Sequence, residues 1–146
     1  IGDGVERQNL QKQIDHLKLS HNIHLVGKKT MGEIVQILSD SSVFILPSRS
    51  ENFSVSILEG LAVGLPVIAT LCGGVKESIN EKNGLLVPVE NVPALADAMK
   101  KMYDTLGEYD SQEIAQDCYN RFSPSVISDK LVDVFQKAVE KKKKMS

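Results

Sequence analysis

Val43-Phe44-Ile45-Leu46, then Pro47-Ser48-Arg49-Ser50-Glu51-Asn52-Phe53-Ser54, then Val55-Ser56-Ile57-Leu58-Glu59-Gly60-Leu61-Ala62-Val63, then Gly64-Leu65-Pro66 and Val67-Ile68-Ala69: this stretch decides the fold. The first run is apolar without alternation, as a strand covered on both faces requires. A polar turn follows, and then a segment whose apolar residues leave little polar surface for a helix. Gly64-Leu65-Pro66 stops that helix, and Val67 to Ala69 is again a short two-sided strand. Strand, helix and strand in this rhythm make a βαβ unit, which implies a parallel sheet and a right-handed crossover.

The same alternation extends outward on both sides. Upstream, Leu10, Ile14 and Leu17 predict an amphipathic helix, and Ile23 to Val26 a short strand. Thr30 with Glu33 forms a capping box for a helix whose buried stripe is Met31, Ile34, Val35 and Leu38. Downstream, Gly84 to Val87 is a further strand after a turn at Asn80 to Asn83. Helical stripes follow at Leu95, Met99, Met102 and Leu106, at Ile114, Cys118 and Phe122, and at Val126, Ile127, Leu131, Val134 and Ala138. The last of these begins behind Ser123, with Pro124 at its first position. The expectation is one α/β layer structure over residues 1–146, without repeats or an interdomain linker. The start on Ile1-Gly2-Asp3-Gly4, with no initiator Met, reads as the end of a strand and predicts a fragment of a longer polypeptide.

Bulk properties narrow the function classes. With 146 residues, 42% hydrophobic and 25% charged, the chain can build its own core. A net charge of −2 and a pI near 5.9 give no electrostatic footprint for nucleic acid. Cys72 and Cys118 lack metal-ligand spacing and suit a reduced, cytoplasmic setting. His16, His21 and His24 fall on elements that would not converge on a metal.

Chemistry concentrates where the strands end, because ligands of open parallel sheets bind outside the strands' carboxyl ends. Loops Gly27-Lys28-Lys29, Ser48 to Ser54 and Leu71 to Val75 leave such ends. The middle one holds Glu51, and Glu59 follows about a turn and a half into the helix, at ~1.5 Å of rise per residue. Carboxylates form short, strong bonds with paired hydroxyls. Ser54 is placed to cap the helix, and the amides of Val55 and Ser56 lie at its positive end, where a phosphate can bind. The bland alternative makes Glu51 a solvated loop acid and Glu59 a surface residue. Gly73-Gly74 is either a phosphate cradle or a tight strand-to-helix turn.

Ser50-Glu51-Asn52-Phe53, Glu59-Gly60-Leu61-Ala62, Gly64 to Thr70, Gly73 to Glu77 and Asn83 to Pro88 together resemble the C-terminal half of family 4 (group 1) glycosyltransferases. The Glu-x7-Glu element followed by Gly-Leu-Pro-Val is the specific part, and the resemblance spans the chain. It implies a Rossmann-like, three-layer α/β/α domain with a parallel sheet: part of the second, donor-binding domain of a GT-B enzyme. The N-terminal acceptor domain and the start of this domain would be absent. By resemblance, Glu51 contacts hydroxyls of the transferred sugar as the catalytic-site acid. Asn52, Phe53, Ser54 and Val55 approach sugar and diphosphate through their amides. Glu59 binds ribose, and Gly27, Lys28 and Lys29 flank the base.

The implied reaction is anomer-retaining transfer from a nucleoside-diphosphate sugar, with UDP or GDP as carrier and no cofactor or metal. The partners are the nucleotide sugar and the missing acceptor domain, without nucleic acid, and the setting is cell-envelope or capsular polysaccharide synthesis. Many relatives have Gly where Asn52 and Ser54 stand, and Ala-Met where Gly60-Leu61 stand. The family's diphosphate-neutralising Arg and Lys precede Ile1, so this chain alone is expected to be inactive. Lys141 to Lys144 suit either a solvated helix end or peripheral contact with anionic lipid. Two rival readings are a GT-B epimerase or phosphorylase domain and a doubly wound interaction domain without nucleotide affinity.

Overall fold

The computed structural model describes residues 1 to 144, which form two compact units: Ile1–Asp40, and a second beginning at Ser41. In the first unit, α1 (Arg7–His16) buries Ile14, and α2 (Met31–Ser39) buries Leu38. The capping box forms as expected: Thr30 Oγ1 accepts from the Glu33 amide at 3.4 Å, and Glu33 accepts from the Thr30 amide at 2.9 Å. Met31 and Val35, expected in the buried stripe, are exposed. Ile23 to Val26 does not become a strand. Its unit contains no other strand to ladder with. Its backbone is used locally instead: the Ile23 amide donates to Leu19 and the Leu25 carbonyl accepts from Arg7.

The second unit contains the sheet. Strands β1 (Phe44–Leu46), β2 (Val67–Thr70) and β3 (Gly84–Val87) are all parallel, in the order β1-β2-β3. The register aligns Ile45 with Ile68 and Ile68 with Leu85. The sheet therefore has three strands, one fewer than the sequence predicts. Helices α3 (Val55–Ala62), α4 (Val92–Asp104), α5 (Ser111–Phe122) and α6 (Pro124–Lys144) complete the unit, with a short 3-10 turn at Gly73–Glu77.

Central strand β2 explains the layering. Successive side chains of a strand point to opposite faces. Val67 and Ala69 join Ile57 and Leu61 of α3, Val75, Ile79, and Ile114 and Cys118 of α5 in one core. Ile68 on the other face joins Val87 and, from α4, Ala98 and Met102. Both faces of β2 are thus dry, which is why its sequence shows no alternation. Gly60 lets α3 lie close on β1, since a Cβ there would sit 3.0 Å from the Phe44 ring. Met99, expected in the α4 stripe, is exposed.

Helix α6 begins at Pro124, as the sequence predicts, and then behaves differently from the others. Its stripe stays open: Leu131 is 51% and Phe135 65% exposed, and Ile127, Val134 and Val139 are exposed with them. No helix among the described residues is long and apolar enough to cross a membrane.

Candidate functional site

Parallel topology brings the loops after β1, β2 and β3 to one edge of the sheet, and the first two are locked together. Ser48 Oγ donates to Glu51 Oε1 at 2.8 Å. The Ser48 carbonyl in turn accepts from Thr70 Oγ1, at the end of β2, and from Cys72 Sγ at 3.6 Å. Thr70 is 4% exposed, so its hydroxyl needs such a partner. The Gly74 amide donates to the Asn52 carbonyl at 3.1 Å. A Cβ on Gly73 would sit 1.6 Å from the Glu51 carbonyl oxygen, and one on Gly74 2.3 Å from that of Asn52. Gly73 also has φ +49°, in the left-handed region. The glycine pair therefore lets two loops touch, and Gly74 spends its amide on that contact.

The start of α3 differs from the expectation in one respect. Ser54 is the N-cap, but its hydroxyl forms no bond to the helix amides. It is 4% exposed and pairs with Ser56 Oγ at 3.0 Å. The neighbouring hydroxyl competes with the backbone for Ser54, so no side chain caps this helix end. Uncapped first-turn amides are the groups that receive an anion. Asn52, Phe53 and Val55 are exposed around them. The Phe53 ring lies 5.8 Å from that of Phe122 on α5 and stays partly exposed. Glu59 is the fifth residue of α3, about 6 Å along the axis from Val55. It is half-buried, with no hydrogen-bond or ion-pair partner among the described residues. Glu51, by contrast, is half-buried and held.

Gly27, Lys28 and Lys29 belong to the first unit. Gly27 has φ +72°, and its carbonyl accepts from the Gly2 amide at 2.8 Å. Lys29 Nζ pairs with Glu33 at 2.9 Å, while Lys28 is exposed. The Glu33 carboxyl is lowered from 4.5 to about 2, first by the Thr30 amide and then by Lys29 and the Thr30 hydroxyl.

The opposite edge of the sheet has a hollow of about 410 Å³, lined by Asn80 to Asn83, Glu113, Ile114 and Asp117. Most of its polar groups, Glu81 excepted, have partners within the protein. Asn83 Oδ1 accepts from the Asn80 amide at 2.7 Å, and Asn83 Nδ2 donates to the Ser78 carbonyl at 3.0 Å. Lys82 meets Glu113 at 2.5 Å, and Asp117 meets Arg121 at 2.9 Å. No group of three or more His, Cys, Asp and Glu side chains among the described residues could hold a metal ion.

Sequence reasoning singled out Glu51, Glu59 and the amides of the loop between them. It missed Ser48, Thr70 and Cys72. The spacing Ser48-x-x-Glu51 was the available signal, because a hydroxyl three residues before a Glu is a capping-box pattern. Here the pair sits in a loop and bonds side chain to side chain.

The parallel α/β layer structure matches GT-B glycosyltransferase structures in fold. The chain belongs to the family of glycosyl transferases group 1, whose profile matches residues 1–115. It is 36% identical over 115 residues to an uncharacterized glycosyltransferase of Methanocaldococcus jannaschii, covering 74% of this chain and 32% of the relative. It is 29% identical over 150 residues to a putative colanic acid biosynthesis glycosyltransferase of Escherichia coli, covering 93% of this chain and 36% of the relative. The crystal structure of Anabaena HepE in complex with UDP superposes with a TM-score of 0.82 at 21% identity, covering 93% of this chain and 39% of that one. The chain thus spans about a third of the length of the curated relatives it matches.

Proposed function

We propose that this chain is the donor-binding half of a glycosyltransferase that moves a sugar, with retention of anomeric configuration, from a nucleoside-diphosphate sugar to an acceptor. The observation that carries the reading is a held acid and an unpartnered acid on either side of an uncapped helix start. Glu51 bonds to Ser48 through one oxygen. Among the described residues, Glu59 has no hydrogen-bond or ion-pair partner. The amides opening α3 take no side-chain cap. By the family resemblance these groups suit sugar hydroxyls at Glu51, diphosphate at Asn52 to Val55, and ribose at Glu59. Gly27, Lys28 and Lys29 flank the base in this reading.

Glu51 does its work by accepting from sugar hydroxyls near the anomeric carbon, and the helix start stabilises the leaving diphosphate. The remaining cations and the acceptor site come from the rest of the polypeptide, so the isolated chain binds donor without transferring sugar. The reaction requires no metal and no cofactor beyond the donor. UDP is the first carrier to test, since the structural neighbour HepE was crystallised with it. A cell-envelope polysaccharide acceptor and a cytoplasmic location accord with the colanic acid relative. Peripheral attraction of Lys141 to Lys144 to anionic lipid belongs to the same reading, and the exposed stripe of α6 adds apolar area beside them. Sedimentation with vesicles containing phosphatidylglycerol tests that contact.

The decisive experiment is calorimetry of the chain with UDP, GDP and ADP. Binding of one diphosphate, weakened by Glu59→Ala, supports the reading and identifies the base. Indifference to all of them would favour an interaction domain.

A further inference from the structure

Glu51 sits in a loop, and a free glutamate has several rotors. Immobilising such a side chain costs rotamer freedom. A ligand that had to order Glu51 on arrival would forfeit much of what one charged hydrogen bond supplies. In this chain the ordering is already done. Ser48 Oγ donates to Oε1, leaving Oε2 for a hydroxyl from outside. Ser48 itself is fixed from β2: its carbonyl takes the proton of buried Thr70 and that of Cys72 Sγ. The Glu51 backbone is held too, because Gly73 has no Cβ to push its carbonyl away.

We infer that Ser48 is the positioning residue for Glu51, and that Thr70, 22 residues further along the chain, sets Ser48 in place. This rests on the reading that Glu51 accepts from the transferred sugar. The relay runs from the centre of the sheet to the site: the Thr70 hydroxyl holds the Ser48 carbonyl, and the Ser48 hydroxyl holds the carboxylate. It also assigns a polarity. Ser48 spends its only proton on Glu51 Oε1, and the second carboxylate oxygen serves as an acceptor of ligand hydroxyls.

The test compares each of UDP, GDP and ADP with its glucose ester, by calorimetry on the 146-residue chain. The bound pair is then repeated with variants. Ser48→Ala should weaken the sugar nucleotide about fivefold while leaving the bare diphosphate within about twofold. Ser48→Thr, which keeps a hydroxyl, should restore most of the loss. Thr70→Val should act in the same direction more weakly, about threefold. Circular dichroism and urea unfolding identify any variant that fails to fold, and Ser48→Thr then supplies the comparison through its sugar-against-diphosphate ratio. If Glu51→Ala selectively weakens the sugar nucleotide and Ser48→Ala does not, the positioning role is overturned and the site reading stands. If the wild-type chain binds none of the six nucleotides, or Glu51→Ala leaves the ratio unchanged, the site reading fails and this inference with it.

Discussion

The two edges of the sheet carry similar amounts of polar chemistry and use it in opposite ways. At the edge where the strands begin, Asn80, Lys82, Asn83, Glu113 and Asp117 line a hollow, and each has a partner within the protein. At the edge where they end, the backbone is pinned by Gly73, Gly74 and Thr70, yet among the described residues Glu59 and the first amides of α3 have no side-chain partner. The difference teaches that similar polar groups can serve opposite ends in one molecule. Paired groups at one edge stabilise the fold, whereas unpaired groups on a rigid backbone mark the edge proposed above to bind a ligand.

The largest expected effect probes the rigidity of the strand-end edge. Gly73→Ala puts a methyl into the Glu51 carbonyl and forces an unfavourable left-handed φ, so urea unfolding should show a loss of about 3 kcal/mol or more. A loss below about 1 kcal/mol would mean that the two loops are not locked. Next, Asn83→Ala removes both bonds of a side chain that is 2% exposed. It should cost about 2–3 kcal/mol of stability and leave diphosphate affinity unchanged. If nucleotide binding weakened in the folded variant, the strand-beginning edge would no longer be purely structural.

Glu59→Ala is the mirror experiment: stability nearly unchanged, with affinity for the bound diphosphate reduced roughly tenfold. The smallest effect concerns the first unit. Its Glu33 carboxyl is lowered from 4.5 to about 2, so the capping contribution is fully present above pH 4.5 and lost as pH falls through about 2. Because Glu33 is solvent-exposed, the consequence for stability is slight. An NMR titration of Glu33 should report the low midpoint directly, and Thr30→Ala, which removes the hydroxyl but keeps the amide, should raise it only part of the way.

Much of this was legible in the chain. The β1-α3-β2 unit could be read from Val43 to Ala69, because two-sided burial removes alternation and Gly64 and Pro66 mark the helix end. The Thr30–Glu33 box formed as its spacing predicts, since both partners lie within one turn. Ile23 to Val26 did not form a strand, because an apolar run becomes one only when another strand completes its ladder. Ser54 was misread as an active cap because the competing hydroxyl of Ser56 is invisible to a rule about single positions. The stripe of α6 has the right period, yet periodicity cannot say whether anything covers it.

By itself, the sequence determined the local terms: the β1-α3-β2 unit, where most helices begin and end, and that two acids stand eight positions apart across a strand-to-helix turn. Those follow from contacts between near neighbours, whose geometry the backbone repeat dictates. Only the tertiary structure decided that the Ser48 carbonyl meets Thr70 and that the Glu51 backbone meets Gly73. Those meetings join residues more than twenty positions apart. They arise from the parallel register of β1 and β2, which no local pattern encodes.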